Sequence, residues 1–318
     1  MKVALALEKS HLPRTYFYQA FLDYVSASPR FVRDISDPLN TVTFPQEETA
    51  PYFNWPHYHD KTSVFVRGQW GQANMKEDWS EYLARFLKVP GRKCILNMQK
   101  FNRFSLEAAG FKDVYVADLN LRTADRWLNP RTISMPALPL NVGTPGPHDK
   151  KWLASFKGAR THPCRDALAR LHNGKDIYCE VSDDAPYMQT IDQATQDAFY
   201  SDLMKSSVFA FIPRGDALFS YRLLEAMSYG CIPVIFADDW VLPFDRSINW
   251  PDLSLNISEA SIPNVVNILR AAPAPAIRFM QRKVAETYRQ FFASPQIIFE
   301  QLFIELEALL PFCDPPRA

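Results

Sequence analysis

The sequence predicts an α/β protein of two lobes, each built on a parallel sheet. Three observations predict it. Short runs of β-branched and aromatic residues alternate with longer stretches of helical period. The chain has 318 residues, about two domains at roughly 150 residues each. Near its middle lies Met135-Pro136-Ala137-Leu138-Pro139-Leu140-Asn141-Val142-Gly143-Thr144-Pro145-Gly146-Pro147. Its prolines and glycines fit no regular element, so it reads as a linker.

In the first lobe the strand candidates are 3–7, 63–66, 94–97, 113–116 and 132–134, with helices at 16–26 and 77–86 between them. In the second they are 152–156, 176–180, 208–212, 232–236 and 253–257, with helices at 165–171, 193–204 and 221–228. The tail from Ile277 to Leu310 has helical period, with Phe292, Ile298, Phe299, Leu302, Phe303 and Leu306 spaced to bury one face. Residues 34–58 fit neither pattern.

Composition excludes several classes. Aromatic residues make up 14% of the chain, too much apolar surface for a disordered protein. The 35 basic and 35 acidic side chains cancel, so no global field attracts nucleic acid or an anionic membrane. No stretch approaches the roughly 18–20 apolar residues of a membrane span. The apolar run Val3–Leu7 is short for a signal peptide and reads as a buried strand. Five cysteines with no CxxC pair favour buried free thiols in a reducing compartment, so a cytoplasmic location is expected.

Most of the chemistry is concentrated in residues 206–236, which read as strand, loop, helix, glycine stop and strand. Pro213 and Gly215 break the first strand, Ser220 is placed to cap the helix, and Gly230 to end it. In such a unit the loop at the strand's carboxyl end faces the ligand crevice. Arg214 and Arg222 there suit a diphosphate. Glu225, three residues beyond Arg222, suits a ribose diol. An Arg222–Glu225 ion pair on a solvated helix accounts for the spacing equally well.

The whole pattern narrows that choice. Pro213-x-Gly215, Ser220-x-Arg222, Glu225-Ala226, Gly230-Cys231-Ile232-Pro233-Val234-Ile235, Asp238 and Val241-Leu242-Pro243-Phe244 with Asn249-Trp250 resemble the exostosin family of glycosyltransferases over residues 206–254. Phe156-Lys157-Gly158 with Arg165, and Ile133-Ser134-Met135-Pro136, resemble that family more faintly. The resemblance implies a GT-B fold: two Rossmann-like α/β/α lobes facing a central cleft, with a C-terminal helix packing back on the first. The expected domains are an acceptor-binding lobe at 1–140, a hinge at 141–150, a nucleotide-sugar-binding lobe at 151–285 and a returning helical tail at 286–318.

The resemblance also implies a function. An inverting transferase would move a sugar from a UDP-sugar donor to a hydroxyl of a glycan acceptor, without cofactor or bound metal. A nucleotide-sugar epimerase or a non-catalytic nucleotide-sugar-binding module are the alternatives. Animal and plant members carry a membrane anchor; none is expected here, as in compact bacterial or viral members working in the cytoplasm. No nucleic-acid partner is expected.

Roles carry over by position. Gly215 would let backbone approach the diphosphate, Arg222 and Arg214 would neutralise it, and Ser220 would donate to it. Gly158 and Arg160, expected just past a strand end, would contact the phosphates from the other side. Arg165 is equally able to pair with a nearby acid. Glu225 would hold the ribose, and Asp238 would orient the loop or donor sugar, with a turn-forming role as the equal alternative. An inverting transfer needs a base, for which Glu8 and Asp78 on the first lobe are the candidates. His57 and His59 suggest a metal but lack further ligands at a known spacing.

Overall fold

A computed structural model describes residues 114–144, 149–183 and 194–313, the strands 62–67 and 92–97, and a few residues around Ala20 and Tyr24. Glu8, Asp78, His57 and His59 lie outside the described residues. The chain divides into two compact units, Met1–Met135 with Ile298–Ala318, and Pro136–Ile297.

Among the described residues the first unit carries four strands in the order β1-β2-β3-β4: β1 (Thr62–Arg67), β2 (Arg92–Asn97), β3 (Val114–Asp118) and β4 (Thr132–Ser134); the expected strand at 3–7 lies outside them. All three pairings are parallel, for example Val64 opposite Cys94 and Val116 opposite Thr132. Helix α1 (Thr123–Leu128) joins β3 to β4. The C-terminal helix, α7 (Pro295–Cys313), contributes its part from Ile298 onward. Tyr24 packs its ring 5.7 Å from that of Phe299 and 5.9 Å from that of Phe303, and its hydroxyl donates to Glu300.

The second unit holds a five-stranded parallel sheet, β5 (Trp152–Ala159), β6 (Ile177–Ser182), β7 (Ser207–Pro213), β8 (Ile232–Phe236) and β9 (Leu255–Asn256), in the order β6-β5-β7-β8-β9. Its helices are α2 (Pro163–Ala169), α3 (Ala194–Lys205), α4 (Arg222–Ser228), α5 (Val265–Ala271) and α6 (Ala274–Thr287); α7 is Pro295–Cys313. β8 is buried along its whole length, as a central parallel strand covered on both faces must be. Phe156, Phe209, Phe211, Phe236, Phe244 and Phe292 are fully buried, and Phe244 stacks on Phe292 at 5.8 Å. Each strand so buried withdraws its aromatic area from water at about 25 cal/mol per Å².

Three local features differ from the sequence expectation. Gly158 lies inside β5, not beyond it, because β6 pairs with β5 as far as Ala159. Ser220 does not cap α4 with its side chain; Tyr221 occupies the cap position, and the Ser220 carbonyl accepts from Leu223. The stretch read as a linker begins the second unit. Leu140 and Asn141 donate backbone N–H groups to Glu225, and Gly143 donates to Ser228. Gly143 lies against the Tyr229 ring, where a Cβ would stand 2.2 Å from its Cδ1. Proline denies the strap a ladder of its own, and α4 supplies the missing acceptors instead.

Gly230 ends α4 with φ 72°, the left-handed conformation that glycine adopts without penalty. Cys231 N–H reaches the carbonyl of Ala226 and Gly230 N–H that of Met227, the bond pair of a Schellman stop.

Candidate functional site: a guanidinium-lined crevice

The strand order reverses between β5 and β7, since β6 lies on one side of β5 and β7, β8 and β9 on the other. An open parallel sheet forms its ligand crevice at the carboxyl ends of the strands flanking such a switch. Here the crevice opens by splaying. β5 and β7 pair only from Trp152–Ser207 to Ser155–Ala210. Beyond that β5 stays with β6 through Ala159, and β7 stays with β8 through Pro213.

Two arginines enter this opening over the buried ring of Phe156. Arg222 Cζ stands 4.7 Å from the ring centroid and Arg165 Cζ 5.7 Å. Each has a glycine beside it. A Cβ on Gly158 would stand 2.8 Å from Arg222 Nη1, and one on Gly215 would stand 3.1 Å from Arg165 Nη2. The glycines therefore make room for guanidinium groups, which is a different role from admitting a diphosphate to bare backbone.

Arg165 is held by carbonyls: its Nη1 donates to Ala159 and its Nε to Arg214. Arg222 donates from Nε to the hydroxyl of Tyr200 at 3.1 Å. That leaves both terminal nitrogens of Arg222 without a hydrogen-bond partner among the described residues. Neither arginine has a carboxylate at ion-pair distance among those residues. Burial, and then the neighbouring charge of Arg222, pushes Arg165 down to about 10. Like charges held this close, with no ion-paired carboxylate among the described residues, favour an anion. Thr161 adds a buried hydroxyl with no hydrogen-bond partner among the described residues, pointing toward Gly215.

Glu225 is buried, and both its oxygens accept hydrogen bonds. Its Oε1 accepts from Leu140 and Asn141 N–H, both at 3.2 Å, and its Oε2 from Tyr200 at 2.7 Å. It forms no ion pair with Arg222; Tyr200 bridges them. Burial raises the Tyr200 phenol well above its ordinary range, against the pull of Arg222 and with that of Glu225. A carboxylate oxygen can accept two hydrogen bonds, so Oε2 keeps capacity for a hydroxyl.

The other expected residues fall elsewhere. Arg160 is exposed and paired with Asp166 and Asp183. Asp238 accepts from Glu259 N–H while its own N–H donates to Glu259, a reciprocal cap on the turn Glu259–Asn264. Arg214 contributes its carbonyl to Arg165, and its Nη1 lies 4.0 Å from Glu259. Tyr200 and Thr161 carry no motif of their own, whereas Phe156 opens the Phe156-Lys157-Gly158 pattern. Tyr200 lies 22 residues from its partner Arg222, on a helix to which the sequence assigns no role.

The exostosin GT47 domain model matches residues 94–272, more than half of the chain. The chain belongs to the exostosin GT47 family. It is 32% identical over 194 residues to Exostosin-1 of Drosophila melanogaster, covering 54% of this chain and 26% of that protein. A homolog of Exostosin-1 in Caenorhabditis elegans is 28% identical over 169 residues, covering 49% and 44%. A probable glucuronosyltransferase of Oryza sativa subsp. japonica is 40% identical over 99 residues, covering 31% and 24%. This chain thus spans less than half the length of these exostosin relatives.

Among solved structures, the chain is similar to the pneumococcal O-GlcNAc transferase GtfA in complex with UDP and GlcNAc. The TM-score is 0.38 at 14% identity, over 78% of this chain and 52% of that one. A DNA-modifying β-glucosyltransferase gives a TM-score of 0.34 at 12% identity, over 70% and 69%. All the crevice residues of this exostosin-family chain, from Phe156 to Glu225, lie inside the matched range. No helix among the described residues is long and apolar enough to cross a membrane.

Proposed function

We propose that this exostosin-family chain is a glycosyltransferase of GT-B type that moves a sugar from a UDP-sugar to a hydroxyl of a glycan, with inversion. The observation that carries the reading is the crevice between β5 and β7. There Arg165 and Arg222 share the Phe156 ring, with no carboxylate at ion-pair distance from either among the described residues. The diphosphate of the donor would accept from the free terminal nitrogens of Arg222 and from the hydroxyls of Thr161 and Ser220. The ribose would use the remaining capacity of Glu225 Oε2.

In the transfer, a base removes the proton from the acceptor hydroxyl as its oxygen bonds to the anomeric carbon. The bond from that carbon to the β-phosphate oxygen breaks, and UDP leaves with both electrons. The developing charge on the diphosphate is what Arg222 stabilises; such preorganised donors are worth about 10²–10³ in kcat each. Fixed guanidinium groups supply that stabilisation without a divalent ion. Glu8 and Asp78 are the proposed bases.

Incubation with a panel of UDP-sugars and glycan acceptors tests the reading. Acceptor-dependent release of UDP is expected, and Arg222→Ala should lower it about 10²–10³-fold. Sugar interconversion without acceptor would overturn transfer in favour of epimerisation.

A further inference from the structure

Beside the crevice, on the loop that follows β5, stands a second cluster the transfer reaction does not use. His162 occupies the cap position of α2, Cys164 follows two residues later, and Glu259 opens the turn after β9. One ligand atom from each lies within 4.8 Å of the others, and among the described residues this is the only such group of three. His162 Nδ1 is 3.1 Å from Cys164 Sγ and 3.9 Å from Glu259 Oε2.

The local fold fixes all three. Nδ1 of His162 accepts from the Cys164 N–H, which aims the imidazole at the helix start. Asp238 binds Glu259 by its backbone N–H and donates its own N–H to Oε1, leaving Oε2 toward His162. Cys164 is buried, while the side chains of His162 and Glu259 are 26% and 21% exposed, so solvent reaches the cluster. Zinc bonds of about 2.1 Å to nitrogen or oxygen and about 2.3 Å to sulfur place tetrahedral ligand atoms about 3.4–3.6 Å apart. The observed separations need shifts of a few tenths of an ångström to about 1 Å.

We propose that His162, Cys164 and Glu259 form a binding site for a thiophilic divalent cation, Zn²⁺ above all, with the fourth position left to water. The thiolate and carboxylate bring two negative charges to a doubly charged ion, and the imidazole binds neutral. On binding, the Cys164 thiol passes its proton to water, and the metal takes the Nδ1 lone pair from the Cys164 N–H. Arg214 and Arg165 face the cluster together with Asp216. Their positive charge opposes a hard ion held by charge alone, while sulfur and nitrogen donors favour zinc over Mg²⁺ or Ca²⁺.

Burial, then Arg214, lowers the His162 imidazole. Burial, then Glu259, pushes the Cys164 thiol up to about 11. Because the thiol binds a metal as its thiolate, metal uptake releases a proton and tightens as pH rises.

Cobalt is the probe. Co²⁺ added to the metal-stripped full chain, without nucleotide or sugar, should give a thiolate-to-cobalt charge-transfer absorption that saturates at one equivalent and is displaced by Zn²⁺. Cys164→Ser should abolish the band, and His162→Gln, which keeps every cysteine, should weaken binding at least about tenfold. Cys231→Ser, at a buried thiol bonded to the carbonyls of Met204 and Ser207, should retain it. Absence of the band in the parent chain, or its persistence in a folded Cys164→Ser variant, would overturn the site. Because no donor is present, either result is independent of the transfer reaction.

Discussion

Gly158→Ala isolates the part that Arg222 plays in the crevice. A methyl group at this position would stand 2.8 Å from Arg222 Nη1, 3.0 Å from Nη2 and 3.3 Å from Cζ. Ordinary van der Waals separations are about 3.5–4.0 Å, so the guanidinium must retreat by about 0.7 Å or more. It can do so, because it is the far end of a flexible side chain. The backbone has no reason to object: Gly158 lies within β5, and alanine stiffens the unfolded chain. Stability should therefore be unchanged or higher by up to about 1 kcal/mol.

Affinity for UDP should fall instead. Losing one charge-assisted hydrogen bond costs about 1.5–3 kcal/mol, or roughly ten- to 150-fold in Kd. Calorimetric titration reads the loss, and urea denaturation reads the stability. The double variant Gly158→Ala/Arg222→Ala closes the cycle: without Arg222, the methyl group has nothing to displace and should cost almost nothing further. Normal UDP affinity in Gly158→Ala, or a full additive loss in the double variant, would refute the assignment of Arg222 to the diphosphate.

Three more outcomes are expected. Glu225→Ala strands two backbone N–H groups of the strap and the Tyr200 hydroxyl, at about 2 kcal/mol, so Tm should drop by about 4–8 °C alongside UDP affinity; an unchanged Tm would mean the strap is held by other bonds. Transfer should continue in excess EDTA, and activity lost on chelation and restored by Mn²⁺ would refute the metal-independent reading; the zinc site proposed above plays no part in transfer. Cys164, pushed up to about 11, should stay a thiol at pH 8 and react with iodoacetamide about a hundredfold more slowly than an ordinary thiol whose pKa is about 8.5, with the rate climbing toward pH 11; rapid labelling at pH 8 would contradict that burial.

The alternation of apolar runs with helical stretches made the parallel sheets legible, and strands at 132–134 and 232–236 are found with those same bounds. Gly230 was legible for a local reason: a helix stop before a buried strand needs a left-handed residue, and only nearby residues decide that. Arg222 and Glu225 were legible as a motif, yet their relationship was not. Their spacing allows an ion pair, and the structure instead puts Tyr200 between them.

What the sequence determined by itself was which segments become strands and helices, which residues carry charge, and which family the motif resembles. These follow from periodicity and spacing over a few residues, where one part of the chain needs no knowledge of another. The tertiary structure alone decided where β5 and β7 part, that the glycines at 158 and 215 make room for guanidinium groups, and that the Pro-rich strap takes its acceptors from α4. It alone brought Glu259 to His162 and Cys164, nearly a hundred residues away in the chain. The physical reason is common to all four. A buried polar group must find a partner, and the sheet order, which no local pattern encodes, selects the residues within reach.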